Sequence, residues 1–120
     1  MNVVIFGPPG AGKGTQAQNI VKKFNLHQVS TGDLLRTEIK NKSEIGKEID
    51  QIISKGDFAT DDIVNKLIKN IVFDPQKKNK LIFDGYPRSL SQAKNLDLLL
   101  KRSNQKVDIV FFLNVNKDTI

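Results

Sequence analysis

The 120-residue sequence has no cysteine, so disulfide frameworks and thiol chemistry are excluded and a reducing compartment fits. No apolar run approaches the roughly 20 residues of a membrane span. Met1-Asn2-Val3 leads into a candidate strand without the basic and apolar regions of an export leader, so a cytoplasmic location without membrane contact is expected. The one histidine, His27, reads as a surface or strand-edge residue rather than a base. Arginine is scarce: three residues, against 16 lysines and 13 acidic residues, within a net charge of +6. The lysines (Lys22, Lys40, Lys47, Lys66, Lys94) are scattered, and no aromatics are interleaved to stack bases. They read as solvated helix faces, and no nucleic-acid partner is expected. The length allows one domain with a single core.

What is present begins with a loop. Val3-Val4-Ile5-Phe6 is a short apolar run ending at Gly7-Pro8-Pro9-Gly10-Ala11-Gly12-Lys13-Gly14-Thr15, and Ala17, Ile20, Val21 and Phe24 then mark one helix face. Strand, glycine loop, lysine, hydroxyl and helix start form a nest for phosphates. Backbone N–H groups point inward, the helix dipole adds positive potential, and Lys13 brings a point charge to the outer phosphates. The strict pattern places Ser or Thr directly after the lysine; here Gly14 intervenes before Thr15. That shifts the reading away from the GTPase and ATPase form of the loop.

Strand and helix patterns alternate through the rest of the chain. His27 to Ser30 is a candidate strand, and Thr31-Gly32-Asp33 cap and open a helix to about Ile39. Ile45, Ile49, Ile52 and Ile53 mark another helix, closed by Gly56. Thr60 caps a fourth, with Asp61 and Asp62 on its dipole and Ile63, Val64, Leu67, Ile68 and Ile71 as its stripe. Leu81-Ile82-Phe83 is a buried strand, Ala93, Leu96, Leu99 and Leu100 the inner face of a helix, and Val107 to Val115 a fourth strand. This order predicts an α/β fold, a parallel sheet flanked by helices with ligands at its carboxyl edge. Asn116 to Ile120 reads as the start of a further helix, so an incomplete domain with one uncovered sheet face is expected.

Two further constellations bear on chemistry. Asp84 ends a strand, where a carboxylate can stand beside magnesium through water; the competing reading is an Asp-Gly turn. Arg36 and Arg88 offer planar forks for phosphate oxygens, against surface salt bridges as the plain alternative. Tyr86 packs or lines a pocket; the residues leave both open.

The loop with Gln16, the run Ser30-Thr31-Gly32-Asp33-Leu34-Leu35-Arg36, and Asp84-Gly85-Tyr86-Pro87-Arg88 with Gln92 together resemble the N-terminal part of the adenylate kinases, within the nucleoside monophosphate kinases. The resemblance covers essentially the whole chain. It implies a P-loop NTPase-type sheet and reversible γ-phosphoryl transfer from Mg·ATP to AMP, giving two ADP, with Mg2+ as cofactor. It also implies a monomer when complete. An ATP site is implied at Gly10, Ala11, Gly12, Lys13, Gly14 and Thr15. An AMP site is implied at Thr31, Arg36, Asp57, Phe58, Ala59, Gly85, Tyr86, Pro87, Arg88 and Gln92. Lys13, Arg36 and Arg88 are implied to act on the transferring and acceptor phosphates. Residues 30–59 resemble the mobile AMP-binding domain, and 1–29 with 60–120 the core.

The sequence departs from the family in two places. Asp57-Phe58-Ala59 stands where a basic or neutral residue followed by aliphatics is usual. The lid, the fifth strand and the C-terminal helix are expected to be missing, so little or no kinase activity is expected of these 120 residues alone. A UMP/CMP kinase is the nearest alternative, though Thr31 and Gln92 resemble the adenine-selective pair. A nucleotide-binding fragment without catalysis is another. A GTP-binding switch, raised by Asn116-Lys117-Asp118, is disfavoured by Thr119 and Gly14.

Overall fold

Short strands that are apolar on both faces need cover on both sides, and the chain supplies it by alternating strands with helices. A computed structural model describes residues 1–8, 12–56 and 61–113. Its elements are β1 (Val3–Phe6), α1 (Lys13–Phe24), β2 (His27–Ser30), α2 (Thr31–Asn41), α3 (Glu44–Ser54), α4 (Asp61–Val72), β3 (Leu81–Asp84), α5 (Leu90–Arg102) and β4 (Ile109–Phe112). The four strands form one sheet in the order β2-β3-β1-β4, with every pairing parallel. The α/β expectation holds. His27 opens β2, an edge strand, and is exposed.

Period-2 alternation sorts the core. Val4, Val29, Leu81 and Phe83 face one way, onto Val64, Ile68 and Val72 of α4 and Leu96, Leu99 and Leu100 of α5. Val3, Ile5 and Ile82 face the other way, onto Ala17 of α1 and Leu26. A third cluster joins Ile49 of α3 to Ile63 and Leu67 of α4, with Leu34, Leu35 and Ile39 of α2 packed against it. At the amino edge, fully buried Asn2 acts as a knot: its Nδ2 donates to Gln105 Oε1 at 3.1 Å and to the Lys106 carbonyl at 3.0 Å. Its Oδ1 accepts from the Leu81 N–H.

Four details correct the sequence reading. Ser30, rather than Thr31, stands at the cap of α2, and its side chain makes no capping bond. Ile53 is 47% exposed, because Ile45, Ile49 and Ile52 already take the inner face of α3 and the next residue turns to the rim. Phe24, at the end of α1, is also 47% exposed. It borders a cleft of about 330 Å³ with Ile20, Phe111 and Leu113. The described fourth strand is Ile109–Phe112, shorter than the expected Val107 to Val115, of which 114–115 lie outside the described residues; Val110 is 49% and Phe112 72% exposed. The cause is position, since among the described residues β4 is an edge strand that pairs only with β1. Phe112 stacks on the Phe6 ring, at 5.1 Å between centroids. Thr60 and residues 116–120 lie outside the described residues.

Candidate active site

The register brings three chain crossings together at the carboxyl edge. Asp84, the last residue of β3, stands opposite Ile5 of β1 and Ser30 of β2. The loop after β1, the start of α2 and the Gly85–Arg88 turn therefore share one edge. α1 opens there at Gly12, whose φ of 78° lies in the left-handed region that glycine adopts without strain. The first turn of α1 holds no acidic residue, and no side chain among the described residues caps it. Its N–H groups and dipole are thus left for an anion.

Lys13, the first residue of α1, reaches across to β3, with Nζ 2.6 Å from Asp84 Oδ1. This is an ion pair by distance, and among the described residues the buried Oδ1 receives no directed hydrogen bond. The other carboxylate oxygen accepts from Gln28 Nε2 at 3.3 Å, and Gln28 in turn accepts from Gln18 Nε2 at 3.0 Å. Sequence reading missed this pair of glutamines; a polar residue at 28, beside buried Val29 in β2, was the available signal. Among the described residues no three His, Cys, Asp or Glu gather to hold a metal ion. A single carboxylate at this edge suits Mg2+, which keeps most of its waters and arrives on phosphates, rather than an all-protein cage.

Gly7, Lys13, Gly85, Pro87 and Arg88 line a cleft of about 210 Å³, which places Lys13 and Arg88 on the same walls. Gly85 has a φ of 78°, and a Cβ there would stand 3.1 Å from Arg88 Nη2, so the guanidinium lies over a residue that must be small. The Tyr86–Pro87 peptide is cis. Tyr86 itself is fully buried, with its hydroxyl donating to the Gln92 carbonyl at 3.2 Å and accepting from Asn95 Nδ2 at 3.3 Å. It supports the turn from beneath and does not line the cleft. Burial pushes its pKa above 10.0; the Asn95 hydrogen bond opposes that shift and the Asp61 charge adds to it. Ser89 caps α5 by accepting from the Gln92 N–H at 3.1 Å.

Arg36 stands apart from that cleft. It pairs with Asp33 on the exposed surface of α2 and folds back over Gly32, 3.3 Å from where a Cβ would be. Gly14 and Thr15 are exposed in the first turn of α1, and Thr31 opens α2. Gly10, Ala11, Asp57, Phe58 and Ala59 lie outside the described residues. Wider clefts occur elsewhere, such as about 420 Å³ between α4 and α5, but they lack the glycine turns and the free helix end.

A sequence profile described as Adenylate kinase matches residues 5–120. The chain belongs to the adenylate kinase family. It is 52% identical over all 120 residues to an adenylate kinase of Pelagibacter ubique, covering 56% of that protein. It is 44% identical to one of Mycoplasma capricolum, covering 55% of it, and 38% identical to one of Thermosipho africanus, covering 56%. The chain thus spans a little over half the length of these curated relatives. No helix among the described residues is long and apolar enough to cross a membrane.

Proposed function

We propose that this chain carries the donor and acceptor sites of an ATP:AMP phosphotransferase, moving the γ-phosphoryl group of Mg·ATP reversibly to AMP. The observation that carries the reading is the shared cleft at the carboxyl edge, where Lys13 pairs with Asp84 and Arg88 lines the same walls. In this reading the loop through Thr15, with Gly10, Ala11, Gly12 and Gly14, wraps the ATP phosphates by backbone N–H groups, and Lys13 leaves Asp84 for the outer phosphates. Asp84 would hold Mg2+ through water, and the ion would neutralise charge on the transferring group. Arg88, with Arg36 once it releases Asp33, fixes the acceptor phosphate in line. Alignment and positive charge are most of what a loose phosphoryl-transfer transition state needs.

Residues 30–59, the α2–α3 unit, form the acceptor-binding part of this proposal; 1–29 and 60–120 form the core. Thr31, Gln92 and the Gly85–Arg88 turn are assigned to AMP, with Asp57, Phe58 and Ala59 beside them. Titration calorimetry with Mg·ATP and with AMP, run beside a coupled assay for ADP, tests the reading. Saturable heats with both nucleotides, and a preference for AMP over CMP and UMP in competition, are expected. No heat with either nucleotide, or a preference for a pyrimidine, overturns it. ADP formation separates transfer from binding alone.

A further inference from the structure

The side-chain amide of Gln92 is gripped at both ends. Its Oε1 accepts from the Arg88 backbone N–H at 2.7 Å, and its Nε2 donates to Asp61 Oδ1 at 2.9 Å. An amide is nearly symmetric in shape, so an unheld glutamine can exchange its donor and acceptor ends to suit a ligand. Here neither partner tolerates the exchange. A backbone N–H only donates and a carboxylate only accepts, so a turned amide would set N–H against N–H and oxygen against oxygen. The Gln92 backbone is fixed as well, with its N–H on Ser89 Oγ and its carbonyl on the Tyr86 hydroxyl. The half-buried amide keeps one N–H and one lone pair for a ligand, and which end offers which is already decided.

We propose that Asp61 is a specificity-determining positioning residue: by fixing which end of the Gln92 amide donates, it selects 6-amino over 6-oxo purine monophosphates. The inference rests on Gln92 lying in the acceptor site, as proposed above. A 6-aminopurine offers an N–H donor at position 6 beside an acceptor at N1; a 6-oxopurine reverses the two. A free amide would meet either base by turning over, whereas the held amide meets one and leaves the other with like groups opposed. Asp61 acts through Gln92 and is assigned no contact with the nucleotide.

The probes are AMP and its 6-oxo counterpart IMP, titrated calorimetrically into the 120-residue chain. Asp61→Asn keeps the shape but faces Gln92 with a group that both donates and accepts; Asp61→Ala, a second variant, removes the acceptor altogether. The AMP:IMP affinity ratio is expected to exceed one in the unaltered chain and to fall at least about threefold in each variant. In a Gln92→Leu background the same substitutions should leave the ratio unmoved, an outcome that a merely structural Asp61 would not produce. A ratio unchanged by both variants while AMP still binds overturns the proposal and leaves the acceptor site standing. No initial preference for AMP over IMP, or an equal fall in the Gln92→Leu background, overturns it likewise. If the unaltered chain binds neither nucleotide, the acceptor-site reading itself falls, and the role of Asp61 with it.

Discussion

In the proposed function Lys13 meets two opposite demands: without ligand its ammonium neutralises a carboxylate only 14% exposed, and with ligand it would meet phosphates. Trading Asp84 for a triphosphate keeps the charge paired throughout, so the move needs no step in which an ammonium stands bare. Lys13→Ala is therefore expected to lower ATP affinity about tenfold or more, from charge-assisted hydrogen bonds worth roughly 1.5–3 kcal/mol. Calorimetry reads the loss and a thermal melt checks folding; unchanged ATP affinity removes Lys13 from the site. Arg88 calls for a different substitution, because its value lies in shape. Arg88→Lys keeps the charge and loses the planar fork, so AMP affinity should fall severalfold while ATP affinity holds. Equal losses for both nucleotides would mean that the guanidinium supports the turn over Gly85 rather than one ligand.

At the scale of elements, the α2–α3 pair turns on a residue that apolar periodicity does not flag. Gly46 is buried in the first turn of α3, and Ser43 caps that helix by accepting its N–H at 2.9 Å. A Cβ on Gly46 would run into the Glu38 carbonyl of α2, which is backbone and cannot swing aside. Gly46→Ala is expected to destabilise the chain by about 1–3 kcal/mol through overpacking. Set against the roughly 1 kcal/mol by which Ala is the better helix former, the expected net loss is up to about 2 kcal/mol. A urea denaturation midpoint equal to or above that of the unaltered chain would show that the helices can part freely. What the sequence disclosed, and what it hid, follows the same division. Strand and helix identities were legible because apolar spacing is local: the stripe of α4 lies where Ile63, Val64, Leu67 and Ile68 placed it. The place of β4 in the sheet was not legible, since the apolar run Ile109 to Phe112 reads alike wherever it pairs, and only the strand order makes it an edge. Lys13 and Arg88 announced themselves by motif and spacing. Asp61 and Gln28 did not, because their partners, Gln92 and Asp84, are brought to them only by folding.

Across the whole molecule, the chain's one tyrosine links the site to the core. Tyr86 is fully buried against Phe83, with 6.4 Å between ring centroids, while its hydroxyl ties the turn after β3 to α4 and α5 through Asn65, the Gln92 carbonyl and Asn95. Burial first, and the Asp61 charge after it, hold its folded-state pKa above the 10.0 of an unfolded tyrosine. The sign of the linkage follows. Below pH 10.0 the phenol is neutral in both states and its contribution to stability is complete; above it the unfolded chain releases a proton that the folded chain retains, so that contribution falls as pH rises. The comparison is made against Tyr86→Phe, which keeps the ring and every other side chain and lacks the titrating group. The variant should be less stable at neutral pH, because Asn95 loses the hydroxyl it donates to. The deficit should narrow as pH climbs past 10.0, measured by urea denaturation at each pH. With no other tyrosine and no tryptophan in the chain, tyrosinate absorbance titrates this residue alone, and its midpoint should lie above 10.0. A deficit that stays constant through that range, or a midpoint at or below 10.0, would mean that solvent reaches the hydroxyl in the folded state and that the turn carrying Arg88 is anchored by other contacts.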